Sequence, residues 1–154
     1  MDPNTAWLAL RSTKTMKLRV EKQIQNADTL AHELAEDKRV KYVNYPSLSY
    51  HPENELAARM LPNGCGAMLS FRVEDDRDKV NAFIRRLSMI QYLGTLGGLR
   101  TSLAHPATAF RNEFTPQQLK AMGLEEGLIR ISVGIEEIED ITGDIKNALS
   151  VFDE

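Results

Sequence analysis

One cysteine, Cys65, and three histidines make up the whole thiol and imidazole inventory of this 154-residue chain. A lone cysteine excludes an internal disulfide framework and any CxxC pair. His32, His51 and His105 stand at no metal-ligand spacing, so no zinc site is expected. Long apolar runs are missing too. None approaches the roughly 18 residues of a bilayer span, and Met1-Asp2-Pro3-Asn4 lacks the basic and apolar parts of a signal peptide. There is no excess of positive charge, with 19 basic against 22 acidic residues, which argues against nucleic acid as a partner. What remains is 42% hydrophobic and 27% charged. That balance is the usual one for a soluble globular chain, and a single cytoplasmic domain is the expectation.

The first third reads as one long helix. Leu10, Thr13, Met16, Val20, Ile24, Ala27, Ala31 and Leu34 recur three or four residues apart, and Asn4 or Thr5 is placed to cap it after Pro3. From Thr5 to Glu36 such a rod is about 48 Å long, against a diameter of about 40 Å for a compact body of this size. It must break, or pack in part on something outside these residues. After it the pattern alternates. Strands are expected at Val40–Tyr45, Gly66–Val73, Thr101–Ala104 and Leu128–Ile135. Helices are expected at Asn54–Met60, Asp76–Ile90, from Thr115-Pro116, and at Glu136–Leu149. This order predicts an open-faced α/β (α+β) two-layer sandwich, with the long helix at 1–36 and the sandwich at 37–154.

Arg130 is the first candidate for chemistry. In Leu128–Ile135, Ile129, Ile131, Val133 and Ile135 share one face, so Arg130 and Ser132 project from the other. A guanidinium on a firm strand matches a carboxylate bidentately. The plain alternative is a solvated arginine on an uncovered sheet face. The second candidate is Gly94-Thr95-Leu96-Gly97-Gly98, where glycines admit close backbone approach and Thr95 adds a hydroxyl. It is neither GxGxxG nor a P-loop, and its plain reading is a turn. His51 and His105 each precede a proline, which favours extended or turn geometry, while His32 lies on the long helix. Cys65 between two glycines reads as a small buried residue. Glu125-Glu126 and Glu136-Glu137 read as carboxylates favouring helix starts, and Arg85-Arg86 as a solvated face.

Taken together the motifs are more specific than any one alone. Gly127-Leu128-Ile129-Arg130-Ile131-Ser132-Val133-Gly134-Ile135-Glu136, with Glu139-Asp140-Ile141 and Asp144, resembles the C-terminal signature of the Cys/Met-metabolism, or transsulfuration, pyridoxal-phosphate enzymes. That family includes O-acetylhomoserine sulfhydrylase, methionine γ-lyase, and the cystathionine lyases and synthases. Thr95-Leu96-Gly97-Gly98, Ser102-Leu103 and His105-Pro106-Ala107 resemble its Ser-Leu-Gly-Gly, Ser-Leu and His-Pro-Ala segment. Arg11, Lys14-Thr15, Leu18-Arg19 and Asn26-Ala27 echo its long interdomain helix. Val43-Asn44-Tyr45-Pro46, His51-Pro52, Glu55-Leu56-Ala57 and Gly66 to Phe71 match as well.

The resemblance spans essentially the whole chain but only the C-terminal small domain of a fold-type I enzyme. It implies that Arg130 grips a substrate α-carboxylate, with Thr95 beside it and the Leu96 backbone in the same pocket. Lys14 falls downstream of the place where the family keeps its cofactor lysine, so the resemblance implies no catalytic or cofactor-binding residue here. Pyridoxal 5'-phosphate would serve the full-length enzyme as electron sink, with none bound by this piece. The implied partners are an N-terminal cofactor domain, a sulfur amino acid or O-acyl homoserine, and further copies in a tetramer. Thr for Ser at position 95, and Ala107-Thr108-Ala109-Phe110-Arg111 where the family commonly reads Ala-Ser-x-Thr-His, depart from the pattern. The rival expectation is a free-standing, non-catalytic module that binds amino acids or a partner through the same pocket.

Overall fold

The rod breaks. The computed structural model describes residues 1–153, and in it the N-terminal third is two helices, α1 (Pro3–Thr13) and α2 (Met16–Glu36). Asp2, not Asn4 or Thr5, caps the first, accepting from the backbone N–H groups of Asn4 and Thr5 at 2.9 and 3.1 Å. The break has a local cause. Ser12 and Thr13 donate their hydroxyls back to the carbonyls of Leu8 and Leu10 at 2.9 and 2.7 Å, and Arg19 donates to Ser12 O at 3.0 Å. Such bonds offer the backbone an alternative to the helical ladder. No residue of α1 is buried, whereas α2 buries Gln23, Asn26, Ala27, Leu30, Ala31 and Leu34. That spacing is one face of a helix, and it begins only at Gln23, two turns into α2.

The remaining chain runs β1 (Tyr42–Asn44), α3 (Asn54–Met60), β2 (Met68–Arg72), α4 (Arg77–Arg86), β3 (Gln91–Tyr92) and β4 (Ser102–Ala104), followed by α5 (Pro106–Phe110), α6 (Pro116–Ala121), β5 (Leu128–Ser132), α7 (Ile138–Leu149) and a final 3-10 turn, Ser150–Asp153. The sheet order is β1-β2-β5-β4-β3, antiparallel except for the β3–β4 pair. The most apolar strand, β5, is therefore central. One face carries Val43, Leu69, Phe71, Leu103, Ile129 and Ile131, each 3% exposed or less. It packs under α2, α4 and α7 with Val80, Phe83, Ile141 and Ile145 in one core. Each fully buried side chain of this kind contributes about 1.5–3 kcal/mol, which outweighs the weak propensity of such short helices.

Two element ends differ from the periodicity, each beside a long-range contact of a carboxylate. The helix expected over Asp76–Ile90 stops at Arg86. Asp144 on α7 accepts from the N–H groups of Ser88, Met89 and Ile90 at 2.8, 3.0 and 2.9 Å, and from the Ser88 hydroxyl at 2.8 Å. Burial pushes the Asp144 carboxyl up, but these donors together hold it below the ordinary carboxylate value. Similarly α7 starts at Ile138 rather than Glu136, and the Glu136 carboxylate bonds to Thr101. Pro106 opens the short helix α5, where the sequence predicts no helix, and His105 before it is extended, one of the two geometries expected there.

Candidate functional site

Alternation along β5 does what the sequence requires. Ile129 and Ile131 are sealed in the core while Arg130 emerges, half-buried, on the opposite face; the strand ends at Ser132 rather than Ile135, with Val133 still buried just beyond it and Ile135 only half-buried. Its cross-strand neighbours are Ser70 on β2 and Ala104 on β4. One guanidinium nitrogen donates to the carbonyl of Thr95 at 3.2 Å. The structure thus brings Arg130 and the Thr95 turn together. Arg130 Nε is buried and has no hydrogen-bond partner. Arg39, Arg72 and Arg77 are each paired with a carboxylate, whereas no ion pair of Arg130 occurs among the described residues. An unpaired buried donor costs about 1–3 kcal/mol, so the described residues leave this guanidinium incompletely satisfied.

The Thr95 turn is fastened rather than loose. The Thr95 hydroxyl shares a 2.7 Å hydrogen bond with that of Ser102, and Gly97 N–H donates to the buried Ser132 hydroxyl at 3.2 Å. Gly97 has φ +65°, a conformation that suits glycine. Leu96 projects outward, 70% exposed. Behind the turn, Ile135 N–H donates to Leu99 O at 3.0 Å, and Glu136 accepts from Thr101 N–H and hydroxyl at 2.6 and 2.9 Å. Ser132 is therefore a buried strut of the turn, not a group open to solvent.

The other candidates fall away from this site. His105 is fully enclosed, with its ring between the Thr108 hydroxyl at 2.8 Å and Glu126 O at 2.7 Å; burial pulls it towards the neutral form. His32 and His51 make local contacts with Asp28 O and Asn44 Oδ1 at 2.8 and 2.9 Å. Cys65 is only half-buried, and desolvation raises its thiol pKa. Glu125 and Glu126 do not favour helix starts as the sequence implies. They precede β5 and hold Arg72 and Arg77, an arrangement that clips the α6 segment to the sheet. Arg86 reaches Ser150 Oγ at 2.8 Å rather than only water, and Lys14 lies exposed in the break between α1 and α2. No metal-binding group of three ligands occurs among the described residues. Sequence reasoning missed Gln23, Asn26 and Asp144 as buried polar anchors; the signal for the first two was polar amides within the apolar stripe of α2.

The Arg130 guanidinium lies beside the turn that the Thr95, Ser102 and Ser132 hydroxyls hold by hydrogen bonds, with no lysine among these partners. That donor set fits a carboxylate. It does not fit the aldehyde of pyridoxal phosphate, which needs a lysine nitrogen.

Comparison with known proteins agrees with the fold and the motifs. A family model described as Cys/Met metabolism PLP-dependent enzyme matches residues 1–150. O-acetyl-L-homoserine sulfhydrylase 1 of Thermus thermophilus is 34% identical over 97% of this chain and 36% of its own length. Cystathionine beta-lyase of Lactococcus lactis is 36% identical over 97% of this chain and 39% of its own. Among solved structures, cystathionine gamma-lyase from yeast superposes with a TM-score of 0.90 at 34% identity, over 99% of this chain and 39% of that one. Cystathionine gamma synthase from Xanthomonas oryzae gives 0.87 at 36% identity, with the same coverage. The chain thus spans under two-fifths of the length of these relatives. With a match along nearly its whole length, this chain belongs to the Cys/Met metabolism family of PLP-dependent enzymes.

Proposed function

We propose that these residues form the substrate-carboxylate part of a pyridoxal-phosphate enzyme of sulfur amino acids, of the carbon–sulfur lyase or O-acylhomoserine sulfhydrylase type. The observation that carries this is Arg130: half-buried, unneutralised, with an orphan Nε and one nitrogen already steadied by Thr95 O. A carboxylate seated on the remaining donors makes charge-assisted, planar bonds, and its fixed plane restricts rotation about the adjoining α-carbon. Thr95 and Leu96 supply the wall of that pocket. Residues that hold the cofactor belong to the portion of the relatives that this chain does not span, and the 154 residues alone turn over no substrate. The bare apolar side chains of α1 and early α2, Trp7, Leu10, Met16 and Leu18, support a further polypeptide surface as their cover. The family resemblance favours an N-terminal cofactor domain there, within a homo-oligomer.

The test follows the Arg130 side chain by nuclear magnetic resonance of its Nε–H while L-homoserine or L-methionine is added. A saturable shift, shared by the Leu96 and Gly97 amides, is expected, with no response to methioninamide, which lacks the carboxylate. In Arg130→Ala the responses at 96 and 97 disappear. Equal response to the amide, or an unchanged response in Arg130→Ala, overturns the reading. Mixing with pyridoxal phosphate is expected to leave no visible absorbance travelling with the protein through gel filtration; a stable band contradicts the inactive assignment. Micromolar amino-acid affinity would point instead to a self-sufficient binding module.

A further inference from the structure

Gln23 and Asn26 are 5% and 2% exposed, and they interrupt an otherwise apolar buried stripe of α2. Leucine at either place would extend the Ala27, Leu30, Ala31, Leu34 face but leave backbone carbonyls of neighbouring loops without a donor. The apolar packing of α2 alone therefore gives no reason for two amides. What they touch gives one. Gln23 Nε2 donates to Gly98 O at 2.6 Å, inside the turn whose Thr95 carbonyl takes Arg130. Asn26 Nδ2 donates to Gly134 O and Glu136 O at 3.1 and 2.8 Å, in the loop that leaves β5 just beyond Ser132.

The two loops are bound to one another as well as to α2. Gly134 N–H donates to the Thr101 hydroxyl at 2.9 Å, which in turn donates to Glu136. The fit leaves no slack, since a Cβ on Gly134 would stand 2.5 Å from both Leu99 O and Thr101 N. Across 95–101 the backbone is thus held from three sides, by β5 through Ser132, by the 134–136 loop, and by α2 through Gln23. Only the α2 tie comes from outside the sheet and its loops. It acts three residues from the carbonyl that steadies the guanidinium.

We infer that Gln23 is a positioning residue for the Arg130 pocket, with Asn26 as the anchor that keeps α2 in register with it. The amide of Gln23 sets where the Gly98 end of the turn sits, hence where Thr95 O sits, hence the orientation of Arg130. Its meaning for substrate binding rests on the carboxylate reading above, but its geometric content does not.

The experiment uses the Arg130 Nε–H resonance of the 154-residue chain without ligand, and then its titration with L-homoserine. Gln23→Met keeps length and helix propensity but removes the donor. Gln23→Asn keeps an amide one methylene too short, and serves if the methionine variant folds poorly. Gln25→Met makes the same chemical change on an exposed position of the same helix. In Gln23→Met and Gln23→Asn the Arg130 signal is expected to move and broaden, with core methyl signals in place and carboxylate affinity about 3- to 10-fold weaker, the range for one hydrogen bond. Gln25→Met leaves both unchanged. An Arg130 signal at its wild-type position in either folded Gln23 variant overturns the proposal. So does a change spread evenly over the whole core, which marks a purely structural bond. If the Arg130 signal moves as expected but wild type never responds to homoserine, the carboxylate reading fails while the positioning geometry stands.

Discussion

Between Trp7 and Val20 the apolar side chains of the N-terminal helices lie bare, with Leu10 and Leu18 66% and 68% exposed; between Ala27 and Leu34 the same periodicity is sealed to 3% or less. The two stretches share that spacing of apolar side chains and differ in what lies over it. The later one meets β1, β2 and α7, whereas the earlier one lies mostly in solvent among the described residues. An amphipathic pattern states that a face is made to be covered, and is silent on the identity of the cover. The largest effect that can break this contrast is Leu30→Ala. It removes a side chain 1% exposed from the core and should cost about 2–5 kcal/mol in urea unfolding. A Leu30→Ala variant as stable as wild type would mean that the sealed half is not a packed core.

Asp144 offers a second measure of the sealed side. Its two oxygens accept from three backbone N–H groups and one hydroxyl of Ser88–Ile90. Asp144→Asn turns an NH2 towards donors and should cost about 1–3 kcal/mol at neutral pH. The folded carboxyl titrates below its unfolded value of 3.8, so its contribution is full above that value and fades as pH falls through the lower folded one. Wild type should therefore lose stability in that acid range, and Asp144→Asn should lose correspondingly less. Parallel acid curves for the two proteins would show that the carboxylate is not held as described.

His105 gives a smaller effect with the same sense of pH. Burial lowers its folded pKa from 6.5, so the neutral ring stabilises the fold above that value, and the benefit is lost as pH falls towards the folded one. Unfolding free energy should decline on acidification from about pH 6.5, and His105→Gln should flatten that slope. An unchanged slope would place the titration elsewhere.

Much of this was legible in the residues. The alternation of β5 put Ile129 and Ile131 inside and Arg130 outside, and the 154-residue pattern gave a sheet with helices over one face. The proximity of Thr95 to Arg130 came from family resemblance, since 35 residues separate them in sequence. What stayed hidden was long-range capture. Nothing local to Ser88–Ile90 says that Asp144 will bind its backbone, or that Glu136 will bond to Thr101. The break at Ser12–Thr15 was equally unreadable from apolar spacing, because hydroxyl back-bonding decides it.

The smallest expected effect is the sharpest test of the contrast. Leu18→Gln replaces a side chain already 68% in water, so urea unfolding of the 154-residue chain should move by no more than about 0.5 kcal/mol, with amide exchange in α1 the fastest of any helix. The comparison must be made at several protein concentrations. If the bare face is covered by a second copy in solution, wild type gains stability with concentration and Leu18→Gln loses that gain, whereas a face awaiting a different polypeptide surface gives midpoints independent of concentration in both. A concentration-independent loss as large as that of Leu30→Ala would mean that Leu18 is packed within its own chain, and the difference between the two halves of the N-terminal third would vanish.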